Sequence, residues 1–254
     1  MKRAAFSLLS LCLGFSVLGS FRTTPVARPT LPVRHVDSAS GTLARALAVV
    51  VPVKTPIAAR DADDEDRAAL RRKVRSEEAG TYIDDILLER DSSVARWPDR
   101  HGTPLTVWIQ PTSRVQDFIP GLVTEVRSAF DEWDALHLPV RFTFLADSAH
   151  ADVHVTWIDH FNEPISGRTR WTRDDDWLIT NADITLAVHH FQGELLDEDA
   201  MRAMALHEIG HLIGLDHTTD TLSIMAPRVR VRSLSSADRA TARLIYSLPA
   251  GPLN

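Results

Sequence analysis

Three imidazoles and a carboxylate stand within eleven residues, His207-Glu208-Ile209-Gly210-His211-Leu212-Ile213-Gly214-Leu215-Asp216-His217. Residues four apart share one face of a helix, so His207 and His211 can converge on a single metal ion. Glu208 is one step round from His207, and from there its carboxylate can address a water on that ion without filling a coordination position. Gly214 is the residue expected where the helix ends through left-handed backbone, and the turn it makes returns His217 as a third ligand. Three neutral imidazoles plus one water form the open tetrahedral site that catalytic zinc uses, whereas a structural site closes with a fourth protein ligand. The spacing therefore points to one catalytic Zn2+ ion held by His207, His211 and His217, with Glu208 as the catalytic carboxylate.

A helix must present the first two histidines, and its signals are in place. Asp197, Glu198 and Asp199 put acids at its N-terminus, and Met201, Met204, Leu206, Ile209, Leu212 and Ile213 supply apolar positions. Upstream, Leu105 to Ile109 alternates as a strand does. Val123, Val126, Phe130 and Trp133 recur at steps of three, four and three, an apolar helical stripe along Pro120 to Leu136. Arg141 to Leu145, Ala151 to Ile158, Gly167 to Arg173 and Asn181 to Val188 read as further strands, the last two joined tightly through Asp174-Asp175-Asp176. A final helix starts after Ser235 and runs to about Ser247. This order describes an α+β domain over residues 96–254.

Composition bounds the rest. The 254 residues are 44% hydrophobic and 24% charged, which excludes a disordered polyampholyte and a multi-span membrane protein. With 28 basic against 34 acidic side chains, the balance gives no support to a nucleic-acid partner. Residues 1–20 read as a signal peptide, Lys2 and Arg3 preceding an apolar stretch from Ala4 to Leu18 and small Gly19 and Ser20 closing it. That stretch is shorter than the ~20 residues a membrane helix needs, so no stable membrane insertion is expected after cleavage, and the product is secreted or periplasmic. The only cysteine, Cys12, falls inside the signal, which excludes disulfides and thiolate chemistry from the mature chain. Residues 21–95 read as a propeptide or spacer: Pro25, Pro29, Pro32, Pro52 and Pro56 come first, then a charged, Ala-rich helix between Asp61 and about Glu89. The boundary falls near Arg96, before Trp97-Pro98.

The histidine run resembles the extended zinc signature of the metzincin metallopeptidases. Thr218 to Pro227 is similar to the loop and Met-turn of the matrixin family, with Met225 eight residues after His217. Pro227 stands where astacins and serralysins usually carry a tyrosine. Leu234-Ser235-Ser236-Ala237-Asp238 and Leu244-Ile245-Tyr246 are similar to the matrixin C-terminal helix, with Asp238 at one of its buried acids; a helix N-terminal acid is an equally good reading of Asp238. The resemblance implies a bacterial-type minimal matrixin catalytic domain: a twisted mixed β-sheet, two long helices, and a C-terminal helix after the Met-turn. It makes Met225 an apolar floor beneath the zinc histidines. It also implies a protein or peptide substrate laid along Gly167 to Trp171, a pocket walled by Pro227 to Arg232, and peptide hydrolysis in which Glu208 acts as base and then as acid.

Departures from the family pattern matter as well. Gly167 to Trp171 and Asn181 to Ile184, the counterparts of two ligand-bearing strands, contain no histidine, so no second zinc and no calcium are expected. His154, His160, His189 and His190 read as surface or satisfied strand histidines. Residues 21–95 contain no cysteine, so the cysteine switch of vertebrate matrixins cannot operate there; Asp84, Asp85 and Asp91 are candidate carboxylates to block the open zinc position instead, the alternative being that they belong to an exposed helix end. The alternative function is a catalytically silent zinc-binding or adhesion module, which has no use for Glu208.

Overall fold

In the computed structural model, which describes residues 57–253 except His101, the charged stretch divides into two helices. These are α1 (Ile57–Glu77) and α2 (Ile83–Glu89). The expected signal peptide and the proline-rich part of the spacer lie outside the described residues. There follow β1 (Ser93–Val94), β2 (Leu105–Ile109), α3 (Pro120–Asp134), β3 (Phe142–Leu145), β4 (Val153–Ile158), β5 (Gly167–Arg173) and β6 (Ile179–Ala187). The chain ends with α4 (Glu198–Leu212), α5 (Ser236–Ser247) and β7 (Gly251–Pro252). The expected α+β class is the one that forms.

Alternation becomes burial in the sheet, because successive side chains of a strand point to opposite faces. Leu105, Val107 and Ile109 of β2 are buried, as are Val153, Val155 and Trp157 of β4. The register sets Val107 beside Val153 and Ile109 beside Val155. Strand order is β3-β2-β4-β6-β5. The first four strands are parallel, while β5 runs antiparallel to β6 and forms an edge. The sheet is therefore mixed, and among the described residues no strand pairs with the outer edge of β5, beside α4.

α3 begins with Pro120 at its first turn, where a missing N–H costs nothing. Its buried face consists of Leu122, Val126, Ala129, Phe130 and Trp133. Val123, which the stripe read from sequence included, is only half-buried, and Leu122 takes the core position. α3 packs on α4, and the Trp133 indole donates to the Leu206 carbonyl at 2.9 Å. Each large apolar side chain buried in this contact contributes about 1.5–3 kcal/mol. That contact fixes the depth of the helix carrying the histidines.

The core also reaches upstream of Arg96. Tyr82, Ile83, Ile86, Val94 and Ala95 are buried with Trp97 among the residues of the same hydrophobic cluster or beside it. α1 is mostly exposed along its described side chains, as a solvated charged helix should be. α2 differs: Ile83 and Ile86, three apart on one face, are inserted into the core. β1 pairs antiparallel with β7, Val94 opposite Gly251, and so ties this segment to the C-terminus. The compositional change near Arg96 is thus not an edge of the packed core.

Candidate metal centre

Asp197 caps α4 by accepting from the Ala200 amide at 2.7 Å, and the helix then carries His207, Glu208 and His211. It ends at Gly214, whose φ of +100° a side chain would disfavour. The Gly214 amide donates to the His211 carbonyl and the Leu215 amide to the Gly210 carbonyl, the paired bonds of a Schellman termination. Two residues later the chain presents His217.

The turn brings the three histidines together. Their ligand atoms lie within 4.8 Å of one another, and the His207 and His211 Nε2 atoms are 3.2 Å apart. Each helical histidine has its other nitrogen committed: His207 Nδ1 donates to the Ile224 carbonyl at 2.7 Å, and His211 Nδ1 to the Leu215 carbonyl at 3.2 Å. A carbonyl can only accept, so both Nδ1 atoms carry the proton and both Nε2 atoms keep a free lone pair. Burial lowers the His207 pKa to about 4, the Ile224 hydrogen bond opposing it. Burial also takes His211 well below the usual imidazole value, with His207 and His217 adding to the effect. Both are neutral at pH 7, as metal coordination demands. The donor set fits a zinc ion with an open position.

Glu208 is 3% exposed, and its Oε2 accepts from the Thr169 hydroxyl at 2.6 Å. Burial raises its carboxyl from 4.5 to about 7, with the Thr169 bond pulling the other way. A carboxyl poised near neutrality can both take up and release a proton. Space for it depends on Gly167 of β5, where a Cβ would come within 2.8 Å of Glu208 Cδ and closer still to its other atoms. Neither Thr169 nor Gly167 stood out in the sequence, since threonine is an ordinary strand former and glycine an ordinary strand start.

Met225 is fully buried against Gly210, between the two helical ligands, where a Cβ would strike its sulfur. Asp238 braces this region from α5. It caps that helix together with Ser235 and also accepts from Ser223 Oγ, the Ile224 amide at 3.1 Å and the Tyr82 hydroxyl at 3.1 Å. Both sequence readings of Asp238 therefore describe it. The bonds connect Asp238 through Ile224 to the Nδ1 proton of His207.

A cleft of about 600 Å³ opens beside the histidines. Its lining includes Gly167, Arg168 and Thr169 of β5, Ala203 and Met204 of α4, Leu196, and Pro227 to Arg232. Asp84, Asp85 and Asp91 do not line it. Asp85 instead accepts from Thr218 Oγ1 at 2.7 Å and from the Thr219 amide, while Asp84 and Asp91 are exposed; none is positioned to block the metal. Of His154, His160, His189 and His190, the last lines the same cleft and packs edge-on against Phe191, while the other three are paired elsewhere. His189 is held between Asp159 at 2.7 Å and Asp117 at 3.1 Å, His160 meets Asp159 at 2.7 Å, and His154 meets the Ser148 carbonyl at 2.9 Å. Among the described residues only His207, His211 and His217 form a cluster able to hold a metal.

Comparison with known proteins agrees with this geometry. The matrixin family model matches residues 101–247. Metalloendoproteinase 5-MMP of Arabidopsis thaliana is 26% identical over 151 residues, which cover 53% of this chain and 39% of the relative. Metalloendoproteinase 1 of Glycine max is 25% identical over 163 residues, covering 58% and 51%. The aligned part thus spans about half or less of each plant protein.

Proposed function

Because the chain belongs to the matrixin family, we propose that it is an exported zinc endopeptidase whose substrates are proteins or peptides. The observation that carries this reading is Glu208: a buried carboxyl, held by Thr169 and raised to about 7, beside three convergent imidazoles. A site that only bound metal would gain nothing from burying that group, because desolvation of a carboxylate is costly.

When bound by His207, His211 and His217, zinc supplies a Lewis acid for the scissile carbonyl and lowers the pKa of water toward ~7. Glu208 accepts the proton of the attacking water and then delivers it to the leaving amine, one carboxyl acting as base and acid in succession. Thr169 holds the Oε2 atom while this happens. β5 offers its free edge to an extended substrate, whose backbone pairs there as an added strand. The interior of the cleft, with Leu196, Met204, Val229 and Val231, takes an apolar side chain next to the cleaved bond.

The test is incubation of the purified chain with a mixed peptide library, with and without a zinc chelator. Internal cleavage abolished by the chelator and restored by added zinc is expected. Cleavage indifferent to the chelator, or none in zinc-loaded protein, would overturn the proposal.

A further inference from the structure

Arg90 comes from the segment upstream of the expected domain boundary, yet its side chain is only 9% exposed and ends against the turn that carries His217. Nη1 donates to the Gly214 carbonyl at 2.8 Å, Nη2 to the Leu215 carbonyl at 3.2 Å, and Nε to Asp216 Oδ2 at 3.1 Å. Two of these acceptors lead directly to metal ligands. The Leu215 carbonyl also accepts the Nδ1 proton of His211, and the other Asp216 oxygen accepts the backbone amide of His217 at 2.9 Å. On its far side the guanidinium faces the Trp171 ring of β5 at 5.4 Å. A planar fork with several donors at fixed angles suits three acceptors on three successive residues, and a lysine ammonium cannot reproduce it.

The surrounding chain follows the same turn. A Cβ at Gly214 would strike the Ala95 carbonyl, and the Trp97 indole donates to the Leu212 carbonyl at 2.9 Å. Residues 90–97 therefore wrap the C-terminal end of α4 along the stretch where the helical ligands give way to the loop ligand.

We propose that Arg90 is a positioning residue of the metal centre, fixing the Gly214–His217 turn so that His211 and His217 converge. The segment from about Tyr82 to Ala95 is accordingly a permanent part of the working protein rather than a piece to be discarded. This rests on the reading of the three histidines as a zinc site, so the test measures metal binding separately from hydrolysis.

Full-length protein is stripped of metal and titrated with Co2+, whose visible absorption reports coordination, and zinc affinity is measured by chelator competition. Wild type is compared with Arg90→Met, Arg90→Lys and Asp216→Asn, and the melting temperature of each metal-free protein is recorded. Arg90→Met should weaken zinc binding by about 10- to 100-fold and alter the Co2+ spectrum, as loss of a group orienting metal ligands does. Arg90→Lys should recover only part of the affinity, and Asp216→Asn should weaken it in the same direction. A folded Arg90→Met protein with wild-type affinity and spectrum, lowered only in melting temperature, would reduce Arg90 to a packing role and overturn the proposal. Should Arg90→Met fail to fold, wild-type affinity in both Arg90→Lys and Asp216→Asn would overturn it equally. If wild type itself takes up no metal, the zinc reading fails and this proposal with it.

Discussion

Replacing Glu208 by Gln separates proton transfer from metal binding, and the buried position of the side chain makes the outcome quantitative. Gln keeps the size and can still accept the Thr169 hydrogen bond, but it cannot carry a proton. Hydrolysis should fall by ~10²–10⁴-fold, the usual contribution of general acid–base catalysis, while zinc stays bound to the three histidines. The metal-free protein should also change in a pH-dependent way. The carboxyl is at about 7 in the folded chain instead of 4.5; a shift of that size costs about 3 kcal/mol once the group is ionised. Its folded pKa is raised, so the cost is absent below pH 4.5, develops as pH rises, and is complete above pH 7. His207, lowered to about 4, and His211, lowered in the same direction by burial, act in the opposite sense, losing stability as pH falls below 6.5, but they are common to both proteins and cancel in the difference. Chemical denaturation of chelator-treated protein at pH 5 and pH 8.5 should show the Gln variant gaining about 2.5 kcal/mol relative to wild type across that interval, since part of the cost is already present at pH 5. A difference that stays flat with pH would mean the carboxyl is not buried as described. Wild-type hydrolysis in the variant would refute the proton-transfer role, and loss of zinc would make Glu208 a ligand.

Gly167→Ala places a methyl group against Glu208 and should reduce turnover at least tenfold with zinc content unchanged; normal turnover would show that the carboxylate has room to move. A chain beginning at Gly80 should remain folded and active, whereas one beginning at Trp97 loses Tyr82, Ile83, Ile86 and Val94 from the core. At ~1.5–3 kcal/mol each, that loss rivals the ~5–15 kcal/mol stability of a whole domain, so the shorter chain should give no cooperative melting transition. Metal analysis should return about one zinc per chain, because among the described residues only one histidine cluster converges; two tightly held ions would require ligands from the His154, His160 and His189 region.

The histidine triad and most element positions were legible in the linear sequence because both rest on local rules. An i,i+4 pair converges wherever a helix forms, Gly214 ends that helix because only glycine adopts its backbone freely, and alternation in Leu105–Ile109 reports one buried face. Met225 could be singled out only through family resemblance, since a lone methionine in a loop has no periodicity of its own. The partners of the site were invisible for the converse reason. Thr169 and Glu208 are 39 residues apart, and Arg90 and Asp216 are 126 apart; no local pattern distinguishes such residues from exposed ones. The same limit moved the edge of the core upstream of Arg96. The change in charge there is real, but two isoleucines on one short helix decide the packing, and they leave too brief a signal to read. Asp85 illustrates the division most clearly: the sequence supplied a carboxylate with a free choice of partner, and tertiary packing directed it to Thr218, beside the metal loop rather than onto the metal.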